Sequence, residues 1–186
     1  MSKKIIIGIS GASGVIYGVK LLSVLMEKDI ETHLIISESG EKNLQIETDY
    51  QIDDVKQMAS YVYNPKNMGA KVSSGSFLVD GMVVVPCTIK TLSGIANSYS
   101  ENLIVRAADV TLKEKRKLLL VVRETPLHKG HLNLMLKASD HGAQIMPPVP
   151  SFYHNPKTID DIIDQTIGKI LDYFNIEHHL FQRWGE

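Results

Sequence analysis

The chain has 186 residues, of which 44% are hydrophobic and 22% are charged, as in an ordinary globular protein that is long enough to bury one core. Its 20 basic and 21 acidic side chains give a net charge of −1, so the overall charge does not favour nucleic acid or a membrane surface as a partner. The only cysteine, Cys87, cannot close a disulfide within the chain, and no apolar run reaches the ~20 residues of a membrane span. We therefore expect a single cytoplasmic domain over residues 1–186.

The first part of the chain predicts a strand, a helix and a second strand. Residues 3–7 end in three consecutive isoleucines, a short apolar β-branched run that is typical of a buried strand. Apolar residues recur at helical spacing over about 14–28, and a second strand follows at 31–36. Such a unit prefers a right-handed parallel crossover. We therefore predict an α/β fold, namely a three-layer, Rossmann-like or flavodoxin-like parallel sheet with helices on both faces.

The remaining elements continue this alternation. They are a helix over 53–67, strands over 82–86 and 117–122, a helix over 129–139, a short strand near 143–145, and a helix from Thr158 to Phe174. A proline-stiffened loop at 147–153 precedes the last helix. The tail from about residue 176 has no clear periodicity, and we expect it to pack on or near a neighbouring subunit.

Polar residues follow the ends of four predicted strands. They are residues 11–13, Ser37, residues 88–91 and residues 123–124. Because α/β sheets bind ligands at the carboxyl ends of their strands, we expect these residues to converge on one site.

The glycine-rich stretch 8–14 stands between a strand and a helix. At such a position the unpaired N–H groups and the positive end of the helix dipole favour a phosphate. Its spacing is neither a Walker A loop nor a complete G-x-G-x-x-G pattern, so it also fits a tight strand–helix connection without a ligand.

Cationic side chains are a second indication of phosphate binding. They are Lys90, Arg106, Lys113, Arg123 and Lys169, which carry more positive charge than one phosphate monoester requires. A simpler alternative is that Arg106 and Lys113, seven residues apart on one helix face, form ion pairs with acidic neighbours such as Asp109.

Metal and thiol chemistry have weaker support. The histidines, including the pair His178 and His179, lack the spacing of metal ligands, so we expect no metal site. Cys87 lies near Lys90 and has two interpretations, a nucleophile or a buried structural thiol. The second is the commoner case at a strand end.

Six stretches of the chain, in order, resemble motifs of the UbiX-type flavin prenyltransferases. They are residues 8–14, 74–77, 86–91, 106–113, 123–127 and 150–153. The resemblance runs from about residue 4 to 175. It implies a dodecamer with active sites at subunit junctions, and metal-independent transfer of a dimethylallyl group from dimethylallyl phosphate to N5 and C6 of reduced FMN. The product, prenylated FMN, would be the cofactor of a partner UbiD-type decarboxylase.

The same resemblance implies roles for individual residues. FMN would bind to Gly11, Ala12, Ser13, Ser37, Thr88, Ile89, Lys90, Thr91 and Arg123. The prenyl phosphate would bind to Lys113, Arg123, Tyr153 and Lys169. The catalytic residues would be Glu124, Glu47, Arg106, Lys113 and Arg123, with Glu124 or the released phosphate as general base.

The chain departs from this family's pattern at three positions. Lys169 stands where the family usually has arginine, so the charge is kept while bidentate phosphate binding is lost. Thr88 and Ile89 replace the usual serine and methionine, and threonine retains the hydroxyl. Compared with chains that have the usual residues, we therefore expect the affinity for the prenyl phosphate to differ more than the affinity for FMN.

Two other functions share part of this pattern. FMN-dependent cysteine decarboxylases have the same fold and flavin mode, but their Pro-Ala-Ser-Ala-Asn-Thr motif has asparagine where this chain has Lys90. A non-catalytic FMN carrier, or an accessory subunit of a decarboxylase, would need neither Glu124 nor Tyr153.

Overall fold

The computed structural model describes residues 3–185, which divide into two compact units on either side of the bond between Pro147 and Pro148. Among the described residues, the first unit holds six strands and six α-helices, and the second holds one α-helix. The strands are β1 (Lys4–Ile9), β2 (Glu31–Ile36), β3 (Tyr61–Tyr63), β4 (Gly81–Cys87), β5 (Lys117–Val122) and β6 (Ala143–Ile145). The helices are α1 (Val15–Glu27), α2 (Glu38–Glu47), α3 (Ile52–Gln57), α4 (Ile89–Ala96), α5 (Leu103–Lys113), α6 (Lys129–Asp140) and α7 (Ile159–Tyr173). The prediction of one domain over residues 1–186 stays a prediction.

The strands of the first unit form one parallel sheet in the order β3-β2-β1-β4-β5-β6. Ile5, Ile6 and Ile7 are successive residues of β1 and are each at most 2% exposed. Since successive side chains of a strand point to opposite faces, both faces of the sheet are covered. The predicted three-layer, Rossmann-like fold is confirmed.

The order of the strands in the sheet indicates where a ligand would bind. From β1 the chain winds outward through β2 to β3, and it then returns to β4 on the other side of β1 and winds outward to β6. The carboxyl ends of β1 and β4 therefore lie at the point where the winding direction reverses. Open α/β sheets bind ligands in the crevice at this point.

The prediction of a helix over 53–67 is wrong beyond residue 57. The helix α3 ends at Gln57, and the edge strand β3 pairs with β2. Aromatic and polar contacts to the buried His33 favour a strand at this position. The His33 ring stacks on the Tyr61 ring with centroids 5.0 Å apart, and its Nδ1 lies 2.9 Å from the Tyr63 hydroxyl oxygen. Burial raises the pKa of Tyr63 to about 12, so this hydroxyl stays protonated.

In the second unit, α7 begins where the sequence predicts. Thr158 accepts a hydrogen bond from the Asp161 N–H at 3.1 Å, and the Asp161 carboxylate accepts one from the Thr158 N–H at 2.9 Å. This reciprocal capping box stabilises the first turn of the helix. Across residues 3–185 there is no helix long and apolar enough to cross a bilayer.

Candidate active site

Backbone hydrogen bonds join neighbouring strand ends at the carboxyl edge. The Ser37 N–H donates to the Ile9 carbonyl at 2.9 Å, and the Arg123 N–H donates to the Cys87 carbonyl at 3.1 Å. The ends of β2, β1, β4 and β5 are therefore held side by side, with their polar residues next to one another. Residues 11–13, Ser37, residues 88–91 and residues 123–124 therefore lie along one edge of the sheet, and their convergence on one ligand site stays a prediction.

The side chain of Ser10 connects the two central strand ends. Its hydroxyl donates to the Pro86 carbonyl at 2.8 Å and accepts from the Thr88 N–H at 2.9 Å, and the residue is 2% exposed. This serine fixes the distance between the glycine-rich loop and the start of α4. Ser10 was not among the predicted site residues, although a serine directly after a buried strand and before a glycine was the available signal.

The glycine-rich loop leads into α1 through Gly14, which has φ of 94° and is the N-cap of the helix. This left-handed conformation favours glycine. The Glu47 carboxylate accepts hydrogen bonds from the Gly14 N–H at 2.7 Å and the Val15 N–H at 3.3 Å. These two backbone N–H groups at the start of α1 were predicted to bind a phosphate. In the folded chain they bind the Glu47 carboxylate instead. In the same loop, Ala12 is buried and Ser13 is exposed.

Hydroxyl side chains begin the helices that follow β2 and β4. Ser37 accepts from the Gly40 N–H at 3.0 Å, and Thr88 accepts from the Thr91 N–H at 3.0 Å while donating to the Thr91 hydroxyl at 2.9 Å. Ser37 is thus the N-cap of α2, and Thr88 is the N-cap of α4. Hydroxyl oxygens and helix N–H groups at one edge suit an anionic ligand.

The charged residues of this edge are available to a ligand. The Lys90 side chain is 78% exposed, and its ammonium lies 3.2 Å from a Glu101 carboxylate oxygen. Arg123 and Glu124 are exposed, and Glu124 accepts from the Thr125 N–H at 3.1 Å. The partly exposed Ile89 adds an apolar side chain beside them.

Arg106 and Lys113, two predicted phosphate-binding residues on α5, form hydrogen bonds and ion pairs with other residues of their own chain. Arg106 donates to the Asp109 carboxylate at 3.1 Å and to the Ser73 carbonyl at 3.2 Å, which is the ion pair that the simpler alternative proposed. Lys113 bonds to Glu114, and this hydrogen bond lowers the pKa of the Glu114 carboxyl.

Within one chain, Lys113 lies near the amino end of β5 and Arg123 lies at its carboxyl end, so the two residues are on opposite sides of the sheet along the strand direction. Lys113 ends α5, three residues separate it from the first residue of β5, and Arg123 directly follows the last. The six residues of β5 span about 20 Å. The fold therefore does not bring these two cations together in one copy.

The second unit holds the other two predicted phosphate-binding residues. Tyr153 is 44% exposed and packs edge-to-face on Trp184, with ring centroids 5.6 Å apart. The Lys169 ammonium lies 3.8 Å from the Asp172 carboxylate. A hydrogen bond from Arg183, 2.7 Å long, lowers the pKa of Asp172 and keeps it ionised beside Lys169.

The structure decides between the two interpretations of Cys87. Cys87 is fully buried, and burial raises the pKa of its thiol, so it is a structural residue and not a nucleophile. Within residues 3–185, no three His, Cys, Asp or Glu side chains are grouped so that they could hold a metal ion.

Comparison with known proteins connects this geometry to a family. A family model described as Flavoprotein matches residues 1–184. The flavin prenyltransferase UbiX of Escherichia coli (strain K12) is 54% identical over 185 residues, which are 98% of each chain.

Solved structures agree over the whole length. The crystal structure of AnUbiX (PadA1) in complex with FMN and dimethylallyl pyrophosphate superposes with a TM-score of 0.98 at 46% identity, covering 100% of this chain and 99% of that one. A dodecameric FMN-dependent UbiX-like decarboxylase from Escherichia coli O157:H7 has a TM-score of 0.96 at 46% identity, with 98% and 100% covered. The peptidyl-cysteine decarboxylase EpiD, at 16% identity and a TM-score of 0.67, shares the fold alone. The chain therefore belongs to the Flavoprotein family and, within it, to the UbiX-type flavin prenyltransferases.

Proposed function

We propose that this chain is a flavin prenyltransferase that transfers a dimethylallyl group from dimethylallyl phosphate to N5 and C6 of reduced FMN. The observation that carries the proposal is the full-length likeness to a protein solved with FMN and a dimethylallyl ester. Reduced FMN, when bound, supplies the nucleophilic ring atoms. The prenylated FMN that results is the cofactor of a partner UbiD-type decarboxylase, and we place the reaction in the cytoplasm.

The residues at the carboxyl edge fit FMN. The helix caps Ser37 and Thr88 place hydroxyls beside helix N–H groups, and Lys90 supplies a positive charge for an anionic group. The exposed Ser13 and partly exposed Ile89 offer polar and apolar contacts at the same edge. The full proposed set is Gly11, Ala12, Ser13, Ser37, Thr88, Ile89, Lys90, Thr91 and Arg123.

The prenyl phosphate needs cations that stabilise the leaving phosphate as its bond to carbon breaks. We assign this role to Lys113, Arg123, Tyr153 and Lys169, with Arg106 and Glu47 among the catalytic residues. Since Lys113 and Arg123 lie at opposite edges of one sheet, this assignment requires more than one copy of the chain. A homo-oligomer, most simply a dodecamer like the E. coli O157:H7 protein, brings the two edges together.

The second unit fits the same assembly. We propose that Tyr153 and Lys169 complete the site of a neighbouring subunit, and that the tail from about residue 176 packs on or near that subunit. The exposed apolar side chains Phe152, 68% exposed, and Trp184, 81% exposed, support this arrangement, because large apolar surfaces commonly mark interfaces. On this view residues 1–186 act as a single flavoprotein domain.

The reaction also requires a group that removes a proton when the second bond to the ring forms. Glu124 is the proposed general base. Its carboxylate is exposed at the end of β5 and next to Arg123. The released phosphate is the alternative base, and Glu124→Gln separates the two because it removes only the first.

Mass spectrometry of the flavin tests the proposed function. The chain is incubated with FMN, dithionite and dimethylallyl phosphate, and a parallel sample receives the pyrophosphate. We expect the flavin to gain the mass of one C5H8 unit. Unmodified FMN that stays bound would instead indicate a carrier, and release of CO2 from a cysteinyl peptide would indicate a cysteine decarboxylase.

A further inference from the structure

One face of α2 contacts the glycine-rich loop at every turn of the helix. The contacts come from Ser39, Asn43 and Glu47, which are four residues apart and therefore share one helix face. A Cβ atom at Gly11 would lie 2.2 Å from Ser39 Cβ, so the loop backbone packs directly on the first of these side chains. We call these three residues the α2 stripe.

The α2 stripe also satisfies the polar backbone groups of the loop. The Asn43 amide donates to the Gly11 carbonyl at 3.0 Å. One turn later, Glu47 accepts from the Gly14 and Val15 N–H groups. Asn43 thus holds the beginning of the loop, and Glu47 holds its end.

These contacts matter because the loop is short and contains two glycines. Glycine loses more conformational entropy than other residues when it is ordered. The anchors come from a helix 32 and 33 residues further along the chain, and Gly14 is kept in its left-handed conformation. Fixing the loop before a ligand binds removes an ordering cost from the binding step.

We propose that Asn43 is a positioning residue for flavin binding, acting together with Glu47 through the backbone of residues 11–15. This inference rests on the proposed function in one respect, namely that residues 11–13 contact FMN. Asn43 itself acts through the Gly11 carbonyl and supplies no group to the reaction.

The matched variants are Asn43→Asp and Asn43→Gln. Aspartate has the same shape but no N–H to donate, and it places a negative charge next to the Gly11 carbonyl. Glutamine keeps the donor on a longer side chain and restores the contact in part. Gln45→Ala is the control, because Gln45 is an exposed residue of the same helix outside the α2 stripe.

The first measurement is amide hydrogen exchange of residues 11–15 in the flavin-free chain. We expect Asn43→Asp to speed exchange of these amides about fivefold or more, the effect of one lost hydrogen bond. We expect Asn43→Gln to lie between Asn43→Asp and wild type, and Gln45→Ala to match wild type. Unchanged exchange in Asn43→Asp would overturn the proposal without involving flavin at all.

The second measurement is the dissociation constant for FMN, followed by quenching of flavin fluorescence. Asn43→Asp should raise this dissociation constant about fivefold or more, and Asn43→Gln should restore it in part. The melting temperature of Asn43→Asp should fall by no more than the roughly 2–4 °C that one lost hydrogen bond costs. An unchanged dissociation constant would refute the link between Asn43 and flavin. Wild type that binds no FMN would defeat the proposed function, while the exchange result would still decide whether Asn43 orders the loop.

Discussion

Replacing Ser10 with alanine tests whether the two central strand ends must be joined. The substitution removes both hydrogen bonds of a hydroxyl that is 2% exposed. The Pro86 carbonyl keeps the Ser10 N–H as a partner at 3.2 Å, but the Thr88 N–H loses the side-chain oxygen that it bonds. A lost hydrogen bond costs about 1 kcal/mol and an unpaired buried donor about 1–3 kcal/mol, so we expect a loss of about 2–4 kcal/mol.

The assay is urea denaturation of Ser10→Ala and wild type at one protein concentration, together with thermal melting. For a chain of this size the expected loss corresponds to a melting temperature lower by about 5–15 °C. The control is Ser139→Ala, which changes an exposed serine on α6 and should leave stability within about 0.5 kcal/mol of wild type. A Ser10→Ala protein as stable as that control would refute the reasoning.

Substitutions in the glycine-rich loop, at the subunit junction and at a buried histidine should each have a measurable effect. Gly11→Ala should weaken FMN binding at least tenfold, because its Cβ would lie 2.2 Å from Ser39 Cβ and the loop must move; fluorescence titration with wild-type affinity would contradict this. Lys113→Met and Arg123→Met should each abolish prenyl transfer, but mixed and reassembled they should restore activity at about a quarter of the junctions; no recovery would place both residues in one subunit's site. Burial lowers the pKa of His33 from its usual 6.5, so the unfolded chain takes up the proton first and the free energy of unfolding should fall as pH drops below about 6.5. His33→Gln should flatten that slope in urea titrations, and equal slopes would argue against it.

Local patterns were sufficient for most elements of the fold. Strands such as β4 are continuous apolar runs because both of their faces are buried. The caps Ser37, Thr88 and Thr158 were predictable because a side-chain cap bonds an N–H group only two or three residues away. The edge strand β3 was missed, because its stability comes from pairing with β2 and from stacking on His33, and both partners are distant in sequence.

The contacts that shape the site were also beyond local patterns. Ser10 bonds to residues 76 and 78 positions away, and Glu47 and Asn43 reach back more than 30 positions to the glycine-rich loop. The periodicity of hydrophobic residues along the chain cannot predict contacts between residues so far apart in sequence. The resemblance named Glu47 as a candidate, but only the folded chain shows that its carboxylate binds the N-terminus of α1.

Local sequence patterns are enough to predict the α/β class and the order of the polar clusters, because short apolar runs set where each strand ends and parallel strands end at one edge of the sheet. Which cations lie at that edge depends on the fold and could not be predicted from local patterns. Lys113 and Arg123 are only ten positions apart in the sequence, and both were predicted to bind the prenyl phosphate. The strand β5 runs between them, and since a strand is a rigid spacer of about 20 Å, the two charges can meet only across copies of the chain.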